Sequence, residues 1–311
     1  MSRYYNCFDS ILGENSVLKI GIDLGGTKIE GLLLSSTGAV LGRERVPTPS
    51  ASYQSILEAI STLVDKLESG LDGRATVGVG GPGAESLQSG FIKNSNTQCI
   101  NGRTLRQDLS LQLDREVRFS NDANCFALSE AVDGAAAAYS SVFGVILGTG
   151  VGGGLVFGKQ LHCGVNRIAG EWGHNPLPGG DQGRACYCGR RDCIETYLCG
   201  AGLINTYRRL GGESIAVPEL LVKVQAGEQS ASDALAEYFT QLARALATVI
   251  NIVDPDAIIL GGGLSNIAGI YQVVPRLWSD FVFGDDCATK LLPAKYGDSS
   301  GVRGAAWLWN E

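Results

Sequence analysis

The chain has 311 residues, enough for two ordinary cores, and 44% hydrophobic against 18% charged residues place it among soluble globular proteins. Its net charge of −7, from 32 acidic and 25 basic side chains, argues against a nucleic-acid surface, which needs clustered Lys and Arg. No apolar run reaches the roughly 18 residues of a membrane span, and the first fifteen residues lack the apolar core of a signal peptide.

Residues 1–16 read as an N-terminal extension ahead of a fold that begins near Val17. Residues 17–24 form an apolar strand that runs into Asp23-Leu24-Gly25-Gly26-Thr27-Lys28. Strands over 29–35 and 39–46 follow, with a turn at Ser36-Thr37-Gly38 between them. A helix is expected over 53–70, where Ile56, Ile60, Leu63 and Leu67 make one stripe. Short strands follow at 75–80 and 116–119, the second running straight into Ser120-Asn121-Asp122, and then an Ala-rich helix at 123–139. The strand at 141–147 ends in Gly148-Thr149-Gly150-Val151-Gly152-Gly153-Gly154, and another strand follows at 155–157.

Both halves therefore read strand, Gly-rich turn, strand, turn, strand, an internal repeat with too few copies for a solenoid. A long helix at 231–252 is stopped by Asp254-Pro255, and the apolar strand 257–260 leads into Gly261-Gly262-Gly263. A helix at 301–309 closes the chain. Alternating strands and helices imply α/β layers with parallel pairing. The expected N-terminal lobe is 17–122, with the last helix (300–311) packing back on it, and the expected C-terminal lobe is 123–299 with a metal-binding insertion.

Successive backbone N–H groups in a Gly-rich turn form a concavity that binds anions. Asp23–Lys28 offers such a turn with the Thr27 hydroxyl and the Lys28 ammonium. An ordinary hairpin turn accounts for one Gly-Gly pair, but a second Gly-rich hairpin at the same place of a repeat favours a polyphosphate held between two lobes. At Gly261–Gly263 the backbone could approach a base or ribose closely. There is no Gly-x(4)-Gly-Lys-Ser/Thr, and no Gly-x-Gly-x-x-Gly opens a helix after a strand. Asp23 is placed either to hold Mg²⁺ accompanying ATP or to steady its own hairpin. Asn121-Asp122 lies where a strand gives way to a helix. The pair could be helix caps, or a carboxylate there could take the proton of an attacking hydroxyl.

Residues 174–193 read His-x(11)-Cys-x-Cys-x(4)-Cys, so His174, Cys186, Cys188 and Cys193 are a complete ligand set for one structural zinc. Six further cysteines are scattered; free thiols beside a Cys/His cluster fit a reducing cytoplasm. Glu171 and His174, three apart, share a face of a helical turn and fit polyol hydrogen bonding. The second ring nitrogen of a zinc-bound His174 is expected to donate to a ligand oxygen.

As a set these motifs resemble the ROK family (repressors, open reading frames and sugar kinases) of the actin-like ATPase superfamily, over roughly residues 17–310. The likeness rests on Asp23–Lys28, Gly148–Gly154, Gly261–Gly263, and Gly170-Glu171-Trp172-Gly173-His174 with Cys186-Tyr187-Cys188-Gly189 through Cys193-Ile194-Glu195. It is greatest to the bacterial ROK fructokinases. The resemblance implies a two-lobed, ribonuclease H-like fold with a repeated βββαβα unit and an ATP/sugar cleft. It implies that Asp122 activates the 6-hydroxyl of a sugar held by Asn96, Asn121, Glu171, His174 and Glu195. ATP contacts are expected at Gly21, Asp23, Gly25, Gly26, Thr27, Lys28, Gly148, Thr149, Gly150, Gly152, Gly153, Gly154 and Gly261–Gly263, with Mg²⁺ accompanying ATP and zinc as a structural ion. A homodimer without nucleic-acid or membrane partners is expected. Asp192 stands where the family usually has Gly.

Fructose phosphorylation is the expected activity, with N-acetylglucosamine or glucose as alternative sugars. A sugar-responsive regulator would carry a helix-turn-helix domain, for which about sixteen residues ahead of the first strand are too few. A sugar-binding protein without turnover fits poorly with Asp122 and two phosphate turns.

Overall fold

The computed structural model describes residues 17–310; the expected extension, residues 1–16, lies outside them. The described residues form two units, one running to Cys125 and resuming at Ser299, the other spanning Phe126–Asp298.

In the first unit, β1 (Lys19–Leu24), β2 (Lys28–Leu34) and β3 (Val40–Pro47) make an antiparallel meander. Next come α1 (Tyr53–Glu68), β4 (Thr76–Gly81), the small pair β5 (Ala84–Glu85) and β6 (Ile92–Lys93), α2 (Leu105–Gln112) and β7 (Val117–Asn121). The sheet order is β3-β2-β1-β4-β7, with β4 parallel to β1 and β7 parallel to β4. Helix α3 (Asp122–Val132) starts in this unit and continues into the second.

The second unit repeats the pattern. Strands β8 (Ser141–Leu147), β9 (Val151–Phe157) and β10 (Gln160–Leu161) form the meander. A long irregular segment leads to α4 (Glu195–Leu198), α5 (Gly200–Arg209), α6 (Val217–Gln225) and α7 (Gln229–Val253). Then β11 (Ala257–Gly261), α8 (Ile270–Trp278) and β12 (Lys290–Pro293) complete the order β10-β9-β8-β11-β12, its last two pairings parallel. Helix α9 (Ser300–Trp307) follows and belongs to the first unit. Among the described residues, no helix is long and apolar enough to cross a membrane.

Alternation along β1 explains how each sheet is covered. Ile20, Ile22 and Leu24 are fully buried with the α1 stripe of Ile56, Ile60, Leu63 and Val64. Ser52 caps α1, accepting the Ser55 N–H at 3.3 Å. Gly21 points the other way. A Cβ there would lie 2.0 Å from the Val302 carbonyl oxygen of α9, and Gly21 is the register partner of Gly78, where a Cβ would lie 1.9 Å from the Ala305 carbonyl oxygen. α9 thus rests directly on strand backbone. The second unit does the same. A Cβ on Gly144 of β8 would meet Ala127 of α3 at 2.5 Å, and one on Gly261 of β11 would meet the Phe126 ring at 2.4 Å. On α7, Leu242, Leu246 and Ile250 join Val145, Leu147, Ile258 and Leu260 in that unit's core.

The expected helix at 123–139 stops at Val132. The buried Glu130 carboxylate accepts the Ala135 N–H at 2.8 Å, and a Cβ on Gly134 would meet Glu130 at 2.4 Å. A side chain that bonds the backbone beyond its own helix competes with further helical turns, and alanine propensity does not overcome it. At the other end of the second unit, α7 stops where Asp254 turns left-handed at φ 47° ahead of Pro255.

Gly304→Ala would place a Cβ 1.6 Å from the Cys125 carbonyl oxygen, so it is expected to destabilise the fold by about 1–3 kcal/mol or more. Gly26→Ala, where a Cβ meets nothing within 4 Å, should leave the urea midpoint unchanged. Equal midpoints for the two variants would refute the backbone-contact account of α9.

Candidate functional site

In the first unit the β1–β2 turn is closed by the Gly25 N–H donating to the Lys28 carbonyl at 3.0 Å. Thr48 braces it, its hydroxyl donating to the Gly25 carbonyl at 2.7 Å and its N–H to the Thr27 carbonyl at 3.0 Å. Neither Gly25 nor Gly26 has a positive φ, and Gly26 has open space around its missing side chain. The left-handed freedom that glycine gives a tight hairpin is therefore not used. A bare backbone at Gly26 suits something that approaches from outside.

Asp23, Glu30 and Arg45 are register partners across β1, β2 and β3. Glu30 is buried, yet three cations reach it: Arg43 at 2.8 Å, Arg45 at 2.9 Å and Lys28 at 3.7 Å. Burial, then the charges of Asp122 and Glu30, push the Asp23 carboxyl up to about 6, against the pull of Lys28. Asp122 opens α3 and Asn121 ends β7. Asn121 Oδ1 accepts the Asn124 N–H at 2.8 Å, so its carbonyl caps the helix and its amide nitrogen is left for other partners. Asp122 keeps solvent access, but the protein around it displaces much of the bulk water. Burial therefore raises its carboxyl pKa, while the Ala123 N–H, 2.8 Å from Oδ1, opposes the rise. Asn96, in the same unit, is exposed.

In the second unit the Gly148 N–H donates to the Gly150 carbonyl at 3.0 Å, and the Gly148 carbonyl accepts from Gly200 at the start of α5 at 2.9 Å. Gly148 and Gly263 share the property of Gly26: no positive φ and no neighbour within 4 Å of an added Cβ. Glu195 Oε2 accepts the Val151 N–H at 2.9 Å, so one oxygen of this carboxylate is tied to the Gly-rich turn. A cavity of about 370 Å³ lies beside Gly200, lined by Ile204, Asn205, Arg208 and Val217 among others. No sequence motif marks those residues.

Four ligand atoms of His174, Cys186, Cys188 and Cys193 lie within 4.8 Å of one another. Zinc with bonds of about 2.3 Å to sulfur and about 2.0–2.1 Å to nitrogen needs edges of about 3.8 Å (S···S) and about 3.6 Å (S···N) in a tetrahedron. The His174 Nδ1–Cys186 Sγ and Cys188 Sγ–Cys193 Sγ separations are both 3.6 Å, so the donor set fits such an ion. Burial, then crowding by the Cys188 and Cys186 thiols, pushes Cys193 up to about 12; a dication would reverse that by holding the thiolates. Glu171 precedes the single turn formed by Trp172–His174, a 3₁₀ turn rather than a helix, and is exposed. His174 Nε2 lies 2.9 Å from the Tyr187 hydroxyl. Although the Tyr187 side chain is largely exposed, partial desolvation at its hydroxyl, then the charges of Glu195, Cys186 and Glu171, raises that group to about 12.

Asp192 takes φ 54°, the left-handed conformation that glycine would adopt without cost. Its carboxylate accepts N–H bonds from Gly183 at 3.0 Å and Arg184 at 2.9 Å and the Tyr197 hydroxyl at 2.6 Å. The aspartate that departs from the family pattern therefore closes the metal loop with its side chain. Beside it, the Arg184 guanidinium stacks 4.0 Å from the Tyr197 ring and donates to the Thr196 and Gly202 carbonyls.

Four residues expected at ATP have packing duties. Gly21 is buried under α9 and Gly261 against Phe126. A Cβ on Gly153 would meet Gly170 and Trp172 at 2.8 Å, and buried Gly154 lies against Gly170. Gly262, at φ 80° and close to the Leu147 carbonyl, is required by its conformation. Gly152 lies within β9, paired with Ile146. Asp23, Lys28 and Thr27 share the first-unit turn, whereas Thr149, Gly150 and Glu195 gather in the second unit. Sequence reasoning missed Glu30, whose alternation with Lys28 on one strand face was the available signal.

Two βββαβαβ units, each with a Gly-rich turn between its first strands, define an actin-like ATPase fold. The chain belongs to the ROK family, whose model matches residues 19–311. It is 40% identical over 301 residues to the N-acetyl-D-glucosamine kinase of Pasteurella multocida, covering 94% of this chain and 99% of that one. The Salmonella typhimurium protein of the same name is 40% identical over 296 residues, with 93% and 98% covered. Among solved structures, the ROK hexokinase from Thermus thermophilus superposes with a TM-score of 0.85 at 29% identity, covering 94% of this chain and 97% of that one. A ROK glucokinase from Streptomyces griseus, in complex with glucose and AMPPNP, gives 0.72 at 27% identity, with 93% and 98% covered.

Hydrogen bonding from the Tyr197 hydroxyl, with help from backbone N–H groups, holds the Asp192 carboxyl below its usual value. A depressed carboxyl contributes stability above its unfolded pKa and loses it as pH falls through the folded one. Asp192→Gly should therefore lower the thermal midpoint at neutral pH, with the gap to wild type closing on acidification. A gap that widens in acid would contradict this role.

Proposed function

We propose that the protein transfers the γ-phosphate of ATP to the 6-hydroxyl of N-acetyl-D-glucosamine. Membership of the ROK family, with sugar kinases among the relatives, supports sugar phosphotransfer. The relatives that are 40% identical over nearly the whole chain carry the name N-acetyl-D-glucosamine kinase, which favours that sugar over the fructose expected from the sequence. The observation that carries the chemistry is the Asp122 carboxylate: solvent-reached, raised in pKa, and at the carboxyl end of a parallel strand in the unit that holds the Asp23–Lys28 turn.

In this reading the ionised Asp122 accepts the proton of the sugar 6-hydroxyl as that oxygen bonds to the γ-phosphorus and the bond to the leaving ADP breaks. The Gly25–Thr27 and Gly148–Gly150 turns and the Lys28 ammonium offset charge on the phosphates. Mg²⁺ bound with ATP would offset the same charge, and Asp23, once ionised, would hold it. Zinc, held by His174, Cys186, Cys188 and Cys193, would fix the segment that carries Glu171 and Glu195 as sugar contacts, with Asn96 and Asn121 contributing from the first unit. Homodimer assembly in the cytoplasm belongs to the same proposal.

A coupled ADP assay over N-acetylglucosamine, glucose, mannose and fructose should give the highest kcat/KM for N-acetylglucosamine; a clear preference for fructose would overturn the sugar assignment. Asp122→Asn should lower kcat about 10²- to 10⁴-fold while sugar binding persists. Because Asp23 must lose a proton to attract a cation, kcat/KM should fall as pH drops through about 6. The Glu30 charge helps to raise Asp23, so Glu30→Gln should move that acid limb to lower pH. A limb that stays in place would exclude Asp23 as its source.

A further inference from the structure

Alternation along β2 and β3 sets three cations on the strand face that carries Asp23. Lys28 opens β2 with Glu30 two residues on, and Arg43 and Arg45 stand two apart on β3, with Arg45 directly opposite Glu30. The Glu30 side chain is 2% exposed, whereas those of Lys28, Arg43 and Arg45 are 48%, 42% and 49% exposed. β3 is an edge strand, where charged side chains ordinarily discourage pairing with another chain. That duty needs no carboxylate buried in the neighbouring strand. A buried carboxylate needs a partner, and one arginine is enough to supply it. Three cations around Glu30 therefore leave an excess of positive charge beside the Asp23–Lys28 turn, even with Asp23 ionised.

The two arginines are held differently. Arg43 is engaged twice: Nε pairs with Glu30 Oε1 at 2.8 Å, and Nη2 donates to the Ser299 hydroxyl just ahead of α9. Arg45 is held at one point. Its Nε donates to Glu30 Oε2 at 2.9 Å, and its two terminal amino groups have no partner among the described residues. The Lys28 ammonium approaches the same Oε2 at 3.7 Å, so guanidinium and ammonium are neighbours. The backbone of Arg45 is fixed to the turn as well, because Thr48, three residues on, bonds the Gly25 and Thr27 carbonyls. A guanidinium steered through Nε, with both terminal nitrogens unengaged, offers two parallel donors in the geometry that phosphate oxygens accept.

We propose that Arg45 is a phosphate-binding residue, its two terminal amino groups donating to oxygens of the ATP polyphosphate at the Asp23–Lys28 turn, and that Glu30 is the positioning residue that aims it. The inference rests on the reading of the protein as an ATP-dependent sugar kinase and adds a side chain that lies outside the Gly-rich motifs. Arg43 is the strut of the same cluster. With Arg43 and Lys28 also on Glu30, the carboxylate stays paired while Arg45 shares its charge with a phosphate, so binding strands no buried charge. The planar donors are already oriented, and little freedom is lost when the anion arrives.

Arg45→Gln removes the charged donors and leaves Glu30 to Arg43 and Lys28. The full-length variant should show a KM for ATP raised about 10- to 100-fold, the loss of a charged hydrogen bond, with the sugar KM and the thermal midpoint unchanged. Arg45→Lys keeps a charge for Glu30 without the paired donors, so it should recover only part of the loss, and it stands in for a glutamine variant that fails to fold. Arg43→Gln should instead lower the thermal midpoint and change the KM for ATP less than Arg45→Gln does. In a Glu30→Gln background, Arg45→Gln should cost less than in wild type, because the guanidinium is no longer aimed. An ATP KM unchanged in Arg45→Gln, or fully restored in Arg45→Lys, overturns the proposal. A lowered thermal midpoint with both KM values altered together also overturns it, by making Arg45 a second strut. Equal costs in the two backgrounds reject the aiming role of Glu30. If the wild type phosphorylates none of the sugars, the kinase reading fails by itself, and calorimetric titration with Mg²⁺-ATP decides the inference. Weaker binding in Arg45→Gln upholds it, and equal or absent binding in both proteins rejects it.

Discussion

Helix backbone lies directly on strand backbone in both units, and the rest of the structure depends on that approach. At Gly21 and Gly78 the α9 carbonyls occupy the space a side chain would take, and at Gly304 the helix meets the Cys125 carbonyl in turn. Cys125 is in the first turn of α3, the turn that Asp122 opens. The candidate base is thus held by main-chain contacts, which have no rotamers to relax and tolerate little displacement. Close packing of this kind suits a carboxylate that must meet a reacting hydroxyl within a few tenths of an ångström. Gly144 repeats the device in the second unit, where an added Cβ would lie 2.7 Å from the Ala127 Cα of α3, and Gly261 seats the Phe126 ring of the same helix. The internal repeat is therefore one of packing chemistry as well as of strand order.

The segment between β10 and α4 obeys a different constraint. It spans more than thirty residues with little regular structure, and Trp172, Leu177 and Ile194 supply its buried aliphatic and aromatic anchors between residues 171 and 195. A loop of that length inside a compact unit needs another tether. The Cys/His cluster and, interleaved with it in sequence, the Asp192–Tyr197–Arg184 contacts supply it. Asp192 shows how a departure from a family pattern is absorbed. An aspartate tolerates the left-handed backbone and uses its carboxylate to bond the two N–H groups that the turn presents.

Much of the architecture was legible because the signals were local. Apolar alternation, glycine punctuation and the stripe Ile56–Ile60–Leu63–Leu67 marked β1, β2, β8 and α1 to within a residue or two. The gathering of His174, Cys186, Cys188 and Cys193 was legible because three thiols and an imidazole at such short spacing have few other uses. What escaped was non-local. Nothing in a window around Gly21 reveals that residues 302–306 will cover it. The end of α3 was missed because Glu130 bonds to Ala135, Lys295 and Tyr296, the last two far away in sequence.

The position of α9 has a consequence for how the chain is made. The strands of the first unit are complete once residue 121 has been synthesised, but the helix that seats on Gly21 and Gly78 comes from residues 300–307. Until those residues are made, the sheet waits with its face at Gly21 and Gly78 uncovered, its closure dependent on a contact between residues far apart in sequence. Such a sheet gains its last cover only through slow, long-range loop closure.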